Sequence, residues 1–271
     1  MTNLSFSRLY AAYAAQFTED LPFWLELATS SGSPILELGC GPGRVLRALA
    51  QAGFDVIGLD NNENMLRWAH SQIPEQDLIK TSLIHSDMRN FQLPDLYPLI
   101  IVPCNTFAYF DDPDALQMLM CVRQHLTHQG QLAMAIPNPT QYTSFESDLD
   151  QEEQTGSEPI NDFVDPVSGH PVQVYAYEQL DRENGILHVQ WAFDELLPDG
   201  QVERIRFPIR YHLRSLEEMT QLLHEAQMDL RYAFGDYQRG PINPGSHEMI
   251  IIAANAPDNP QSSHQYGAIE P

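Results

Sequence analysis

The chain has 271 residues, 43% of them hydrophobic, and its 14 Lys and Arg stand against 37 Asp and Glu for a formal net charge of -23. Such a length suits one core plus an insertion, and with Lys80 as the single lysine the chain lacks the basic footprint that phosphate backbones and anionic lipids require. There is no basic-plus-apolar leader and no long apolar run, and Cys40, Cys104 and Cys121 are scattered and odd in number. The expectation is a cytoplasmic protein with reduced thiols, without a nucleic-acid or membrane partner. No metal-ligand spacing is present, so no metal is expected, and the acidity reads as a heavily hydrated surface.

In chain order, the aromatic residues Tyr10, Tyr13 and Phe17 precede a helix over Glu19–Ala28, with Thr18 as its N-cap and Pro22 in its first turn. Ile35–Leu38 reads as a buried strand, followed by Gly39-Cys-Gly41-Pro-Gly43 and a helix from Arg44 to Ala50. Phe54–Asp60 is a second strand ending in an acid. A helix over Asn62–His70 comes next, capped by Asn61 or Asn62. Ser82–Asp87 is a third strand, again ending in Asp, and Leu99–Pro103 a fourth, apolar as a central parallel strand should be. A helix opens at Asp111 and runs to about His128, where Gln129-Gly130 ends it; Gln131–Ile136 is the fifth strand. This alternation predicts an α/β, Rossmann-like, seven-stranded and mainly parallel sheet with helices on both faces.

The pattern changes at Pro137-Asn-Pro139. Residues 146–162 are acidic and polar and read as a loop. Val172–Glu178, Gly185–Phe193 and Gln201–Tyr211 alternate as strands, with turns at Glu183-Asn-Gly185 and Pro198-Asp-Gly200. Ser215-Leu-Glu-Glu218 is a capping box opening a helix to about Gln227. Asp229–Gly235 and Glu248–Ala254 close the sheet. The expected organisation is a core of 1–139 and 212–256, an inserted antiparallel β cap of 140–211, and a tail of 257–271.

A strand that turns through glycines into a helix makes a cradle for a polar ligand. The glycines permit φ > 0 and close approach, and the first helical N–H groups have no partner within the helix. Asp60, ending the next strand, can accept both hydroxyls of a ribose. A G-x-G-x-x-G dinucleotide fingerprint fails, because Arg44 or Leu46 falls where the third glycine belongs, and there is no phosphate loop. The loop is suited to a nucleoside and not to a pyrophosphate.

These residues resemble a known family. Leu36-Glu-Leu-Gly-Cys-Gly-Pro-Gly-Arg44, with Asp60 and Asp87, is similar to the class I methyltransferases that use S-adenosylmethionine (SAM). The likeness extends to the leading Tyr10 and Thr18–Leu27 and to the late Gly235-Asp-Tyr and Ser246–Ile251. It covers about 10–255 and resembles the bacterial small-molecule branch with a β insertion, including glycine N-methyltransferases and amino-sugar N,N-dimethyltransferases. The resemblance implies that Gly39, Cys40, Gly41 and Gly43 underlie the methionine part of SAM, and that Glu37 holds the loop or the methionine amino end. It also implies that Asp60 binds the ribose, that Asn61 and Met65 flank the adenine, that Asp87 accepts from the adenine amino group and that Met88 packs on its ring. Pro103, Cys104 and Asn105 would sit near the methyl group and Tyr10 would cover the cofactor. Relatives of this branch commonly have Tyr-Asp where this chain has Tyr10-Ala11, so any role of that Asp is lost here.

The activity so implied is transfer of a methyl group to N or O of a small molecule, leaving S-adenosylhomocysteine, by a monomer or homodimer. The acceptor pocket would form between the strand ends and the insertion, walled by Tyr13, Asn105, Tyr109, Asn138, Arg210 and Tyr237. Tyr13, His212 and His247 are the candidates for a general base. Pro103-Cys104 also resembles the nucleophile of cytosine carbon-5 methyltransferases, but with no basic groove Cys104 reads as a packing residue. Trp191, Tyr175 and Tyr177 read as core of the meander before substrate contacts. Two other readings stand: an aminopropyl transferase using decarboxylated SAM, and a non-catalytic SAM-binding protein.

Overall fold

The structure, a computed structural model, describes residues 4–142 and 158–257. Helix α1 (Leu4–Ala14) and helix α2 (Leu21–Ser31) precede the α/β succession β1 (Ile35–Leu38), α3 (Arg44–Gln51), β2 (Val56–Asp60), α4 (Glu63–Gln72), β3 (Thr81–His85), β4 (Tyr97–Val102), α5 (Asp112–His125) and β5 (Leu126–Pro137). Four further strands, β6 (Asn161–Val164), β7 (Pro171–Asp181), β8 (Ile186–Leu196) and β9 (Val202–His212), form a separate antiparallel sheet. Helix α6 (Leu216–Glu225), β10 (Met228–Phe234) and β11 (Glu248–Asn255) then return to the first sheet.

That first sheet has the order β10-β11-β5-β4-β1-β2-β3 and is parallel apart from β11, which runs antiparallel to both of its neighbours. Alternate residues of its strands feed two cores, as the period of 2 requires. Leu36, Leu38, Ile100 and Val102 pack with Met118 and Val122 of α5 and Leu223 of α6. Ile35, Leu99 and Ile101 pack instead with Trp24 and Leu27 of α2 and Leu46 of α3. A third core joins α1 to the antiparallel sheet through Phe6, Leu9, Val174 and Phe193. The fold expected from the sequence is the one observed, a Rossmann-like sheet with a β cap.

Boundaries differ where tertiary contacts intervene. Of the leading aromatics, Tyr10 and Tyr13 belong to a helix, α1, that the sequence pattern did not reveal, and Phe17 follows it. Thr18 does not cap α2. Asp20 precedes that helix and makes no capping bond, because its carboxylate is taken by Arg44 and by the Trp24 indole N–H at 2.9 Å. Helix α5 stops at His125, short of Gln129-Gly130. The His125 Nδ1 lies 2.8 Å from Cys121 O, and its Nε2 accepts the Leu93 N–H at 3.1 Å, which fixes the buried ring at the helix end. Gly130 instead lies inside β5 at a register shift, where a Cβ would come within 2.7 Å of Tyr97 O. Residues 161–162 of the expected loop belong to β6; 143–157 and the tail from 258 lie outside the described residues. The capping box at Ser215 and Glu218 and the Asn62 cap of α4 form as expected.

Gly58 of β2 lies under the glycine-rich turn, where a Cβ would come within 2.8 Å of Cys40 Sγ and against Leu46. Gly58→Ala should therefore destabilise the fold by ~1–3 kcal/mol through overpacking. Urea unfolding checks this, and an unchanged midpoint would contradict it.

Candidate functional site

The carboxyl ends of β1 to β4 open into one cavity of about 260 Å3, roofed by α1 and by the inner face of β9. The turn between β1 and α3 is its floor. Gly39 has φ +68 and a Cβ there would strike Thr106 Cγ2, so protein atoms demand this glycine. Gly41, at φ +52, faces open space, so its free side belongs to the cavity. Its N–H donates to Asp60 Oδ2 at 2.8 Å, and the Asn62 N–H donates to Oδ1 at 2.8 Å. The aspartate at the end of β2 thereby ties the turn to the neighbouring strand. Burial raises its carboxyl above the ordinary range, against these backbone N–H groups.

Glu37 is 3% exposed and lines the same cavity, yet its Oε2 has no hydrogen-bond partner among the described residues. Burial pushes its carboxyl up to about 8, opposed by the Arg44 guanidinium and the Leu46 N–H. An orphaned buried oxygen of this kind calls for a donor from outside the protein.

Arg44, expected only to obstruct a pyrophosphate, has a definite structural task. Its Nη1 reaches Asp20 Oδ1 at 2.5 Å and Phe17 O at 2.8 Å, while its Nη2 reaches Asp20 Oδ2 at 2.6 Å and Cys104 Sγ at 3.1 Å. Cys104 and Asn105 both sit at positive φ, +59 and +60, in the turn after β4, an uncommon pair for non-glycine residues. Cys104 is exposed toward the cavity, and desolvation by the surrounding walls pushes its thiol up to about 11 against the Arg44 guanidinium, which disfavours the thiolate. Asp87 is engaged by Arg89, whose backbone N–H and Nε donate to its Oδ1 at 2.9 and 3.0 Å and whose Nη1 reaches Asp114 at 2.6 Å. Hydrogen bonds from Arg89 hold the Asp87 carboxyl below its ordinary value. The Asp87-Met-Arg89 spacing carried that signal unread.

Tyr10, Glu37, Gly39, Cys40, Gly41, Asp60, Asn61, Met65, Asp87, Met88, Pro103, Cys104 and Tyr109 thus share one cavity wall. Gly43 does not. It begins α3 at φ +83 with a Cβ position 3.1 Å from Ala69 Cβ, so it serves the packing of α3 on α4. Of the residues expected as acceptor walls or bases, only Tyr109 lines the cavity, its ring stacked 5.5 Å from Tyr211. Tyr13 packs against Trp191 and Phe193, with its hydroxyl raised to about 12 by burial. Arg210 and His212 lie on the outer face of the cap, because the strand alternates and Ile209 and Tyr211 take the inner face. His247 is exposed, and burial lowers the pKa of His212. The Asn138 amide donates to Ser246 O at 2.7 Å and Asn243 O at 3.2 Å, so it braces a loop. Tyr237 packs on Phe23 and Trp24 and donates to Glu248 Oε2 at 2.5 Å, and Asn105 shapes the turn without lining the wall. On the meander, Trp191 faces the core, whereas Tyr175 and Tyr177 stack on the outer face. Phe6, Phe207 and Ile209 also line the wall, and only the tertiary fold brings them there.

Sheet order, cap and cavity together define a class: this is the fold of the SAM-dependent methyltransferases. A family model for a methyltransferase domain matches residues 35–130, the stretch that builds the floor of the cavity. Among known proteins, YqeM of Bacillus subtilis (strain 168), provisionally described as a methyltransferase, is 28% identical over 109 residues; the match spans 40% of this chain and 43% of that protein, less than half of its length. The cypemycin N-terminal methyltransferase of Streptomyces sp is 20% identical over 222 residues, 82% of each chain. A SAM-dependent methyltransferase from Clostridium acetobutylicum ATCC 824 superposes with a TM-score of 0.74 at 16% identity, covering 93% of this chain and all of that one. CalS10, an amino pentose methyltransferase from Micromonospora echinaspora with SAM bound, gives 0.66 at 16% identity over 91% and 96% of the two chains. Among the described residues no helix is long and apolar enough to cross a membrane.

The raised Glu37 carboxyl makes a prediction for the protein without ligand. The folded state keeps its proton up to about 8, whereas an unfolded chain releases it near the ordinary value. Stability should therefore fall as pH rises from 5 to 8, by up to ~1.4 kcal/mol per pH unit from this group. Urea unfolding of the wild type against Glu37→Gln checks it; identical pH slopes would contradict the assignment.

Proposed function

We propose that the protein transfers the methyl group of SAM to a nitrogen of a small-molecule amine. The observation that carries the cofactor is the pairing of an open cradle at Gly41 with the orphaned Glu37 Oε2 at 3% exposure, both on one cavity wall with Asp60. That donor set fits SAM. Asp60 would accept from the ribose hydroxyls and Glu37 from the methionine ammonium. Asn61, Met65 and Met88 would flank the adenine, with Asp87 facing its amino group and Tyr10 covering the ligand.

SAM, when bound, supplies a methyl group on a sulfonium that departs as a neutral thioether. The chain's own residues then have to align the acceptor, exclude water and see a proton removed. The titratable groups of the wall bear on the last of these. Cys104 stays protonated up to about 11, and burial raises the Tyr10 and Tyr109 hydroxyls well above their ordinary value. Asp60 is held by two backbone N–H groups and Asp87 by Arg89. Among the described residues no histidine lines the cavity. An alcohol would need a strong base in place; an amine attacks through its lone pair as the free base and sheds its proton to water afterwards. With Glu37 engaged by the methionine ammonium, the wall therefore favours nitrogen over oxygen. The names of the cypemycin N-terminal and amino pentose enzymes support the same choice. The free cysteines suit a cytoplasmic setting.

Incubation with SAM and a panel of amines, amino sugars and phenols, followed by mass spectrometry, should show S-adenosylhomocysteine and a methylated amine. Consumption of decarboxylated SAM alone, or SAM binding with no product across the panel, would overturn the proposal. By calorimetry, Asp60→Ala and Gly41→Arg should each weaken SAM by at least about tenfold, that is ~1.4 kcal/mol or more; wild-type affinity in either would remove the cofactor assignment. Because a proton on Glu37 competes with the ammonium, SAM affinity should fall as pH drops below about 8, and Glu37→Gln should flatten that dependence.

A further inference from the structure

Helix α1 forms the roof of the cavity. Phe6, Tyr10 and Ala14 recur every four residues, share one helix face and line the wall. The helix is held between α4 and the cap. The Phe6 ring stacks 4.3 Å from Phe207 and meets the edge of Phe193 at 5.9 Å, and Tyr13 meets Trp191 at 5.3 Å. Toward the core, its own cluster includes Met65 of α4. Aromatic contacts of this kind hold a helix down, yet they specify poorly how far it slides or turns.

One charged contact supplies the missing specification. The Arg8 Nη1 pairs with Asp165 Oδ2, and its Nη2 with Glu195 Oε2 at 2.6 Å. Both carboxylates come from the cap, at 0% and 3% exposure. Their socket is built independently of the helix. The Ser168 N–H donates to Asp165 Oδ2 at 2.8 Å, and Ser168 Oγ and His170 Nδ1 each lie 2.8 Å from Glu195 Oε1. Despite burial, the hydrogen bonds from Arg8, Ser168 and His170 hold the Glu195 carboxyl below its ordinary value. The socket is thus a fixed pair of buried negative charges, and a planar guanidinium spanning both leaves the helix little freedom of register.

We propose that Arg8 is the positioning residue of the cofactor roof: by locking α1 into the Asp165–Glu195 socket it keeps Phe6 and Tyr10 closed over the glycine-rich turn. This rests on SAM being the ligand of the cavity. The cap then serves the cofactor through a contact whose residues do not line the cavity. Without Arg8 the helix still packs by its aromatic residues, but it samples positions in which the roof is open and the bound ligand escapes faster.

The test uses the full chain, with SAM dissociation followed by stopped flow and methyl transfer measured against SAM and against an amine that the wild type accepts. Arg8→Ala should raise the KM and dissociation rate of SAM by about tenfold or more, a change equivalent to ~1.4 kcal/mol, while kcat at saturating SAM and the KM of the amine stay within about twofold. Arg8→Lys, which keeps the charge but not the fork, should recover part of the loss. Should Arg8→Ala fail to fold, Glu195→Gln keeps shape and packing and should shift the SAM KM in the same direction. Unchanged SAM kinetics in a folded variant would overturn the proposal, as would equal losses for SAM and amine. A wild type that binds no SAM would overturn the cofactor reading together with this one; a wild type that binds it while Arg8→Ala matches it overturns this one alone.

Discussion

The site depends first on the ion pair between Arg44 and Asp20. One guanidinium at the start of α3 meets a carboxylate at the start of α2, the carbonyl of Phe17 and the thiol that follows β4. Three segments, the stretch before α2, the start of α3 and the turn after β4, are brought to one point beneath the cavity. Both partners are buried, at 11% and 7% side-chain exposure, so loss of either would strand the other charge at a cost of ~3–5 kcal/mol. The Arg44 guanidinium also opposes the rise of the Glu37 carboxyl, whereas the Asp20 carboxylate adds to it.

Around that point the sheet divides its labour by parity. From Leu99 onward in β4, and in β1, odd residues bury themselves against α2 and α3 and even ones against α5. Glu37 is the exception: its position on β1 would suit an apolar side chain, and a carboxylate stands there with one oxygen orphaned. A fold that leaves such a group unpaired keeps it for a ligand, since burial without a partner is costly. The cap adds a second ionic device, Arg8 in its carboxylate socket. Between them, two arginines of a chain with net charge -23 anchor the floor and the roof of one cavity.

Most of the cavity wall was legible in the sequence because its residues sit in short runs at the ends of consecutive strands. Glu37, Gly39 and Gly41, then Asp60, then Asp87 and Met88, then Pro103 and Cys104 lie at or just after the end of a strand, and parallel strands deliver their carboxyl ends to the same edge. Of the residues expected to face an acceptor, all but Tyr109 fall outside the cavity wall. Arg210 and His212 differ by one residue from Ile209 and Tyr211, yet that single step puts them on the opposite face. Asn138 and Tyr237 have the right chemistry for a substrate, and both are spent on holding neighbouring loops and side chains.

From its sequence alone the chain determined the order of its elements, the ligand-compatible turn with its downstream aspartates, and the absence of a basic surface. Those features are local, set by periodicity, glycine freedom and composition within a few residues. Tertiary structure alone decided that α1 is the roof, that Arg44 binds Asp20 and Arg8 binds Asp165 and Glu195, and which face of each cap strand meets the cavity. Arg8 and Glu195 lie 187 residues apart. No local pattern encodes a pairing over that distance, because it depends on where the packed layers bring the two charges together.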